Sequence, residues 1–249
     1  MLTGVAGTNT ITATGPANYA YAAARTPLYF VPAATNTGAT TINVTPSGGA
    51  ALGARNIFFN GVACVGGELR INVPTALIDD GTRFQIVGFS ARRIVLATEV
   101  ATTSGTSIDF TSIPAGVRRI KIQFVGVSTN GTSNPLIQLG DSGGVETTGY
   151  LGSSSLIDTA VATAGYTAGF GLNIATADAV IHGTVTLTLE DSSDFTWVAS
   201  GVVSTSDTAR SVITSGRKLL SAELDRVRIT TVNGTDAFDA GAINISYEF

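Results

Sequence analysis

The chain has 249 residues, of which 44% are hydrophobic and 13% are charged, and its formal net charge at pH 7 is −4. This composition excludes a disordered chain, which would be poor in apolar residues, and a coiled coil, which would be dominated by Ala, Glu, Lys, Leu and Arg. No run approaches the roughly 18 apolar residues of a membrane-spanning helix, and the acidic balance argues against nucleic-acid binding. We therefore expect a compact β protein, with no membrane insertion and no nucleic-acid partner.

Apolar and polar residues alternate with period two along four segments, which is the pattern of half-buried strands. These segments are residues 120–124, 184–189, 226–230 and 243–248. Asn-Gly or Asp-Gly pairs, which predict type I′ hairpin turns, stand at residues 60–61, 80–81, 130–131 and 233–234. One turn of helix is predicted over residues 217–224, with Ser215 as its cap. Short strands at intervals of about ten residues are typical of sandwiches and barrels.

The chain is predicted to form two modules. An aromatic strand over residues 83–89 closes the first segment, and a new stretch opens at Ser90. We therefore expect a small N-terminal β module over residues 1–91 and a larger one over residues 92–249. Both are longer than about 40 residues, the length below which a fold usually needs disulfides, bound metals or oligomerisation. The predicted fold class is all-β with two antiparallel modules, the second a jelly-roll-like β-sandwich.

The low charge has a consequence for assembly. A surface with few ionised groups is covered by Thr, Ser, Asn and Gly, or by another subunit. We therefore expect an obligate homo-oligomer with apolar contact surfaces.

The single cysteine limits metal and redox chemistry. One thiol, Cys64, cannot form an intrachain disulfide or a thiolate zinc cluster. It stands in the apolar run of residues 62–65, where a buried and inert thiol is expected. We predict no metal site and no cofactor.

One motif is similar to the nucleophile of an enzyme. Residues 140–144 read GDSGG, the run that surrounds the catalytic serine of chymotrypsin-like proteases. Such a serine needs a histidine base, and the one histidine, His182, follows Ser142 instead of preceding it by most of a domain. A turn of small residues explains the same letters. We predict no catalytic residues, and a core or hairpin-end position for His182.

Acidic residues cluster at two places. Glu190, Asp191 and Asp194 lie between two strand-like runs, and Asp236 and Asp239 follow an Asn-Gly pair. A carboxylate pair could hydrolyse a glycoside, and the same oxygens could bind calcium. We favour a solvated hairpin loop and turn chemistry, respectively. A polysaccharide depolymerase acting through an Asp pair is the enzymatic alternative.

Three aromatic residues are the candidate receptor-binding positions, because aromatic rings can stack on sugars. Tyr150 and Tyr166 flank a stretch of Gly, Ser, Thr and Ala residues and are expected to be exposed. Trp197 shares a strand face with Phe195, for which a core position is the favoured interpretation.

Several strings are similar to those of phage proteins. Residues 35–44 (TNTGATTINV) and 80–86 (DGTRFQI) resemble a module common in tail fibres of tailed bacteriophages. Residues 103–110 (TSGTSIDF), 113–117 (IPAGV) and 224–235 (LDRVRITTVNGT) resemble the C-terminal β domain of phage and prophage fibre proteins. These strings encode turns and strands, so the resemblance implies a virion component more strongly than any one task.

The resemblance implies a homotrimer with β domains around a threefold axis and loops presented to the host envelope. We accordingly expect a non-enzymatic tail-fibre protein that binds other virion proteins through its N-terminal module and a bacterial surface glycan or envelope protein through its C-terminal loops. The alternative is a capsid decoration, baseplate or connector protein that cements neighbouring subunits. Since the first residues lack the pattern of a signal peptide, we expect assembly in the host cytoplasm and location in the virion.

Overall fold

The computed structural model describes residues 1–21, 27–59, 61–64, 66–87, 94–174, 176–177 and 179–248. Over these residues the chain is all-β, as predicted, and contains no helix. It divides into two compact units, Met1–Ala91 and Arg92–Phe249. The residues on either side of the predicted module boundary lie outside the described ones, as does Asn60 of the first predicted turn.

The N-terminal unit is one mixed sheet. Its strands are β1 (Thr3–Ala6), β2 (Thr10–Gly15), β3 (Leu28–Phe30), β4 (Thr40–Pro46), β5 (Ala54–Phe59), β6 (Val62–Ala63), β7 (Thr75–Asp79) and β8 (Phe84–Val87). They lie in the order β1-β2-β4-β5-β8-β7-β3, with β6 paired to β5. The prediction of an antiparallel module is wrong here, because β2 and β4 are parallel, as are β5 and β8. Parallel neighbours need a long connection, and residues 16–39 and 60–83 provide it.

One face of this sheet forms the N-terminal core. Side chains of a strand alternate between the two faces, so Ile42 and Val44 of β4 and Leu77 of β7 are fully buried together. Asp79 of β7 points to the same side and is 2% exposed. Its carboxylate forms an ion pair with Arg55 of β5, which supplies the counter-charge that a buried carboxylate requires.

The Asp80-Gly81 turn joins β7 and β8 as a hairpin, as predicted. Its loop has four residues, 80–83, instead of the two of a type I′ turn. The Asp80 carboxylate accepts the N–H groups of Thr82 and Arg83 at 3.1 and 2.9 Å. These bonds satisfy the loop backbone locally, which explains why the longer loop is stable.

The C-terminal unit contains two antiparallel sheets. Its strands are β9 (Val95–Leu96), β10 (Val100–Ala101), β11 (Ile108–Phe110), β12 (Arg119–Thr129), β13 (Pro135–Asp141), β14 (Gly144–Val145), β15 (Tyr150–Ile157), β16 (Val161–Tyr166), β17 (Phe170–Gly171), β18 (Ile181–Asp191), β19 (Thr196–Thr205), β20 (Arg210–Leu219), β21 (Arg226–Thr231) and β22 (Phe238–Glu248). The nine-stranded sheet has the order β10-β22-β12-β18-β19-β20-β15-β16, with β9 on β22. The five-stranded sheet has the order β11-β21-β13-β14, with β17 on β13.

The two sheets of this unit share one hydrophobic core. Ile120 and Ile122 of β12 belong to the same buried cluster as Ile137 of β13 and Ile229 of β21, and all four are fully buried. Inward-facing residues of both sheets therefore interlock, which is the arrangement of a β-sandwich. The four alternating segments are confirmed as strands, since they lie in β12, β18, β21 and β22.

The predicted helical turn over residues 217–224 is wrong. β20 continues to Leu219 because its backbone pairs with β19 on one side and β15 on the other. Val212, Thr214 and Lys218 point inward with strand spacing, and all three are buried. Cross-strand pairing here overrides the local preference for a helix.

The Asn-Gly pairs at residues 130–131 and 233–234 connect sheets instead of forming hairpins. β12 and β13 belong to different sheets, and so do β21 and β22. The two connections lie side by side, since Asn130 Oδ1 accepts the Ala237 N–H at 2.9 Å and Ser133 Oγ accepts the Asn233 N–H at 3.0 Å. The hairpin prediction is therefore wrong at both positions.

Candidate interaction surface

The outer face of β15, β16, β19 and β20 is almost free of charge. Its exposed aliphatic side chains are Leu151, Ile157, Val161, Val198, Val202, Ile213 and Leu219. The strand register places small and hydroxyl-bearing residues between them, namely Ser153, Ser155, Thr163, Gly165, Ser200, Ser204, Ser211 and Ser215. Within these four fully described strands, Arg217 is the one charged residue on this side. We call this surface the aliphatic–hydroxyl face.

Cross-strand pairing assembles the aliphatic–hydroxyl face from distant parts of the chain. Val202 of β19 stands directly opposite Ile213 of β20, which in turn stands opposite Ser155 of β15. Paired residues share a face of the sheet, so these side chains form continuous rows. The aliphatic members are between 40% (Ile157) and 67% (Val161) exposed.

The uncharged surface extends one strand further and then ends. β18 adds Thr184, Thr186 and Thr188, whereas Arg119 and Lys121 of β12 restore charge to the sheet. With the β18 threonines counted as part of the aliphatic–hydroxyl face, five strands at about 4.8 Å spacing and about 26 Å in length give an area of about 600 Å². The largest apolar patch on a typical monomeric protein is about 300–600 Å² and is often functional. This surface is therefore suited to burial against another protein.

The predicted exposure of Tyr150 and Tyr166 is wrong. Tyr150 is fully buried and Tyr166 is 8% exposed. The Tyr150 hydroxyl accepts the Leu139 N–H at 2.6 Å and donates to the Glu146 carbonyl at 3.0 Å, and burial raises its pKa. Tyr150 of β15 and Tyr166 of β16 both point into the sandwich core, because inward-facing positions alternate with exposed ones along a strand.

Trp197 lies in the core, as favoured from its strand position. The side chain is 2% exposed, and its indole N–H has no hydrogen-bond partner among the described residues. Tyr150 and Tyr166 nevertheless line a shallow depression of about 600 Å³ on the outer surface. Gly152 and Gly216 also line it; they stand opposite each other at inward-facing positions, where an added Cβ would approach the Phe170 ring at 3.6 and 3.1 Å. The receptor-binding role of the three aromatic residues stays a prediction.

The GDSGG run forms the turn between β13 and β14, as the turn interpretation predicts. Asp141 Oδ1 accepts the Gly143 N–H at 2.7 Å, and Asp141 Oδ2 accepts the Ser221 hydroxyl at 2.6 Å. These bonds, led by that of the Ser221 hydroxyl, hold the pKa of Asp141 below its usual value. The aspartate thus ties the turn to the segment that follows β20.

Ser142 and His182 lie at opposite ends of the sandwich. Ser142 follows Asp141, whose bond to Ser221 places it at the end of the sheet where β18 finishes at Asp191. His182 stands nine residues earlier in β18, about 30 Å away at about 3.3 Å per residue. Its Nδ1 accepts the Gly126 N–H at 3.1 Å, and its Nε2 lies 3.2 Å from Ser206 Oγ. The two side chains therefore do not form a nucleophile–base pair.

The acidic residues lie at the β18–β19 hairpin, with Glu190 and Asp191 as the last two residues of β18 and Asp194 in the predicted loop. Asp191 accepts both the N–H and the hydroxyl of Ser193 at 2.7 Å, and the hydroxyl bond is the main cause of its lowered pKa. Asp194 accepts the Thr196 N–H at 3.0 Å. Both carboxylates therefore satisfy the local backbone of the turn.

The second acidic pair is divided between a turn and a strand. Asp236 lies in the turn before β22 and accepts the Asn233 amide at 2.6 Å and the Ser133 N–H at 2.8 Å. The Asn233 bond is the main cause of its lowered pKa. Asp239 is the second residue of β22 and accepts the Ser128 hydroxyl, so the turn interpretation is wrong for this residue.

Cys64 is buried, as predicted, with 1% of its surface exposed. Burial raises the pKa of its thiol to about 12, which makes the reactive thiolate scarce at neutral pH. Val65, the last residue of its apolar run, lies outside the described residues. In the described part of the chain, no three His, Cys, Asp or Glu side chains come together as metal ligands.

Neither a protein-family model, nor a curated protein, nor a solved structure matches this chain. None of the described residues belongs to a helix that is long and apolar enough to span a membrane. The aliphatic–hydroxyl face is therefore the feature on which a functional argument rests.

Proposed function

We propose that this chain is a non-enzymatic structural protein of a phage particle, of the tail-fibre type, which assembles with copies of itself. In this proposal the assembly is the homotrimer that the sequence resemblance implies, and the C-terminal unit is a jelly-roll-like sandwich that contacts a bacterial surface glycan or envelope protein. The phage origin and the receptor role rest on the resemblance of residues 35–44, 103–110 and 224–235 to fibre proteins. The aliphatic–hydroxyl face supports the assembly.

The composition of this face favours protein burial over solvent exposure. Exposed aliphatic side chains lose contact with water on association, and each buried CH₂ contributes about 0.8 kcal/mol. The surrounding Ser and Thr hydroxyls remove no ionised group from water, so the desolvation penalty that a charged surface would bring is avoided. An area of about 600 Å² supplies most of the roughly 800 Å² that each partner of a standard interface buries.

A flat contact face also favours the second candidate, a decoration, baseplate or connector protein that cements neighbouring subunits. The specific observation is the burial of Tyr150, Tyr166 and Trp197, which removes the aromatic rings that would otherwise contact a glycan. In both candidates the face is an assembly surface, and they differ in what the rest of the molecule touches.

Native mass measurements on matched variants test the assembly. The wild-type protein is expected at three times 25.3 kDa by sedimentation at micromolar concentration. Val202→Lys places a charge in the middle of the face and is expected to lower the native mass. Val125→Lys changes an equally exposed valine on β12, outside the face, and is expected to leave the mass unchanged. A monomeric wild type would refute the assembly, and equal effects of the two variants would refute the role of the face in it.

Binding to host cells separates the two candidates. A tail-fibre protein is expected to bind susceptible bacteria and not resistant ones, since three linked copies multiply weak contacts. An assembled protein that binds no susceptible strain would contradict the receptor role and leave the cementing role.

A further inference from the structure

Strand β16 is an unprotected edge of the nine-stranded sheet. It pairs with β15 from Gly152–Tyr166 to Ile157–Val161 without a bulge, and no described strand lies on its other side. Exposed edges are templates for pairing with another chain, and proteins usually block them with Lys, Pro, a bulge or a very short strand. The β16 sequence, VATAGY, has six residues with no charge and no proline.

The other described edges of the chain are short or irregular. β9, β10, β14 and β17 have two residues each, and β3 and β11 have three. β1 is longer, but its register with β2 shifts between Thr3 and Ala6. Because strands at an edge need several residues in register to pair, β16 is the edge in the described part of the chain that can accept a full strand.

The backbone of β16 offers hydrogen-bonding groups on its open side. The Asp158 N–H donates to the Ala160 carbonyl at 3.1 Å, so this pair at the β15–β16 turn is of the hydrogen-bonded type. Hydrogen-bonded and non-hydrogen-bonded pairs alternate along an antiparallel ladder, so Ala162, Ala164 and Tyr166 bond to β15, and the backbone groups of Val161, Thr163 and Gly165 point to the open side. Val161 is 67% exposed, and Ala162, Thr163 and Gly165 are exposed too.

We propose that β16 pairs antiparallel with β16 of a second copy across a twofold axis located within residues 162–165. The partner is a second copy, because pairing needs an open edge strand of matching length. In the described part of the chain, β16 is the strand that meets this requirement. The same strand on both sides gives an isologous contact, which requires a twofold axis. Neither strand carries a charge that would repel its equal.

This inference rests on the proposed self-assembly and adds a second contact, at the β16 edge, to the aliphatic–hydroxyl face. The twofold axis of an antiparallel pair is perpendicular to the sheet, so the aliphatic–hydroxyl faces of both copies lie on the same side. The two faces, each of about 600 Å², then form one continuous surface that contacts further copies of the chain. Combined with the threefold axis that the resemblance implies, the pairing joins two trimers, so it predicts six times 25.3 kDa where the trimer alone predicts three times.

Cysteine scanning of the edge tests the pairing. The one native thiol, Cys64, is buried and does not compete. Ala162→Cys, Thr163→Cys, Ala164→Cys and Gly165→Cys are oxidised one at a time in the full chain, with Val125→Cys as an exposed control on the same sheet. Since a disulfide needs Cα atoms about 4.4–6.8 Å apart, the position on the axis is expected to crosslink into a dimer with a yield about tenfold above the control. Sheets packed face to face, about 10 Å apart, would not crosslink there.

A charged variant gives an independent measurement. Thr163→Lys places like charges on opposite strands, which is destabilising, and is expected to halve the native mass at low salt and to recover it at high salt. A native mass above that of a monomer, without crosslinking above the control, would overturn the edge pairing and leave the proposed assembly intact. A wild type that stays monomeric would overturn both. A salt-independent mass for Thr163→Lys would also contradict the pairing.

Discussion

Removing the hydroxyl of Tyr150 tests whether this residue supports the fold. The group is fully buried, accepts the Leu139 N–H at 2.6 Å and donates to the Glu146 carbonyl at 3.0 Å. Tyr150→Phe keeps the ring and leaves the Leu139 N–H buried without this partner. A buried donor left unsatisfied costs about 1–3 kcal/mol. We expect the free energy of unfolding of the C-terminal unit to fall by that amount.

Tyr166→Phe is the matched control for this substitution. Its hydroxyl accepts the Asn134 amide at 2.9 Å, and Asn134 also donates to Asn173 Oδ1 at 3.4 Å. The partner therefore retains another contact after the hydroxyl is lost. We expect a loss of about 1 kcal/mol or less, the net value of an ordinary hydrogen bond.

Urea unfolding followed by tryptophan fluorescence measures both variants. Trp197 is the single tryptophan and is buried in the C-terminal unit, so its signal reports that unit even when the two units unfold separately. Protein concentration is kept constant, because assembly stabilises the folded state by mass action. Equal stability of wild type and Tyr150→Phe, or a larger loss in Tyr166→Phe, would refute the reasoning. Loss of host-cell binding in a Tyr150→Phe protein of unchanged stability would instead support its predicted receptor role.

Two further predictions concern the polar cluster around the same tyrosine. Lys218 pairs with Glu146, and their side chains are 5% and 22% exposed. Glu146→Gln leaves the more deeply buried charge, that of Lys218, without its counter-charge, so we expect the free energy of unfolding to fall by about 3 kcal/mol, against about 1 kcal/mol for Lys218→Met. The reverse order of the two variants in urea unfolding would contradict this. The pKa of Asp141 is held below its usual value by the Ser221 hydroxyl and the Gly143 N–H. The ionised Asp141 carboxylate therefore stabilises the fold above about pH 4, and this stabilisation is lost as the pH falls through the folded-state pKa. Asp141→Asn is expected to reduce the loss of stability at acid pH. An unchanged loss of stability at acid pH would disprove the stabilising role of Asp141.

The sequence predicts strands well because alternation reports which side chains of a segment are buried. Residues 184–189 alternate and lie in β18, where Val185 and Leu187 are fully buried. Alternation does not identify the neighbouring strand or the sheet, since those depend on contacts between distant segments. This is why the turn at residues 130–131 looks like a hairpin but connects two sheets, and why the parallel pair of β2 and β4 was not predicted.

A surface with few charges could be predicted from the composition, but its location could not. Low charge predicts an apolar surface, and residues 196–205 (TWVASGVVST) contain no charged residue in either alternation phase, which indicates that both faces of this strand are uncharged. The face itself arises only when Val202 and Ile213 meet through the strand register. Tyr150 was misplaced for the same reason: its neighbours in sequence are small and polar, whereas its neighbours in space are Leu139 and Phe170, whose ring centre lies 5.1 Å from its own.

The position of β22 governs the order in which the molecule can be built. This strand is synthesised last among those described, yet it pairs with β12 and also with the short strands β9 and β10. Segments separated by more than a hundred residues must therefore meet before the nine-stranded sheet is complete, and such long-range contacts slow folding. During translation, the edge of β12 that later pairs with β22 stays unpaired until β22 is synthesised, whereas all strands of the N-terminal unit have by then been made. A cell producing this protein is accordingly exposed to aggregation of nascent chains, and slower growth at low temperature should increase the yield of folded protein.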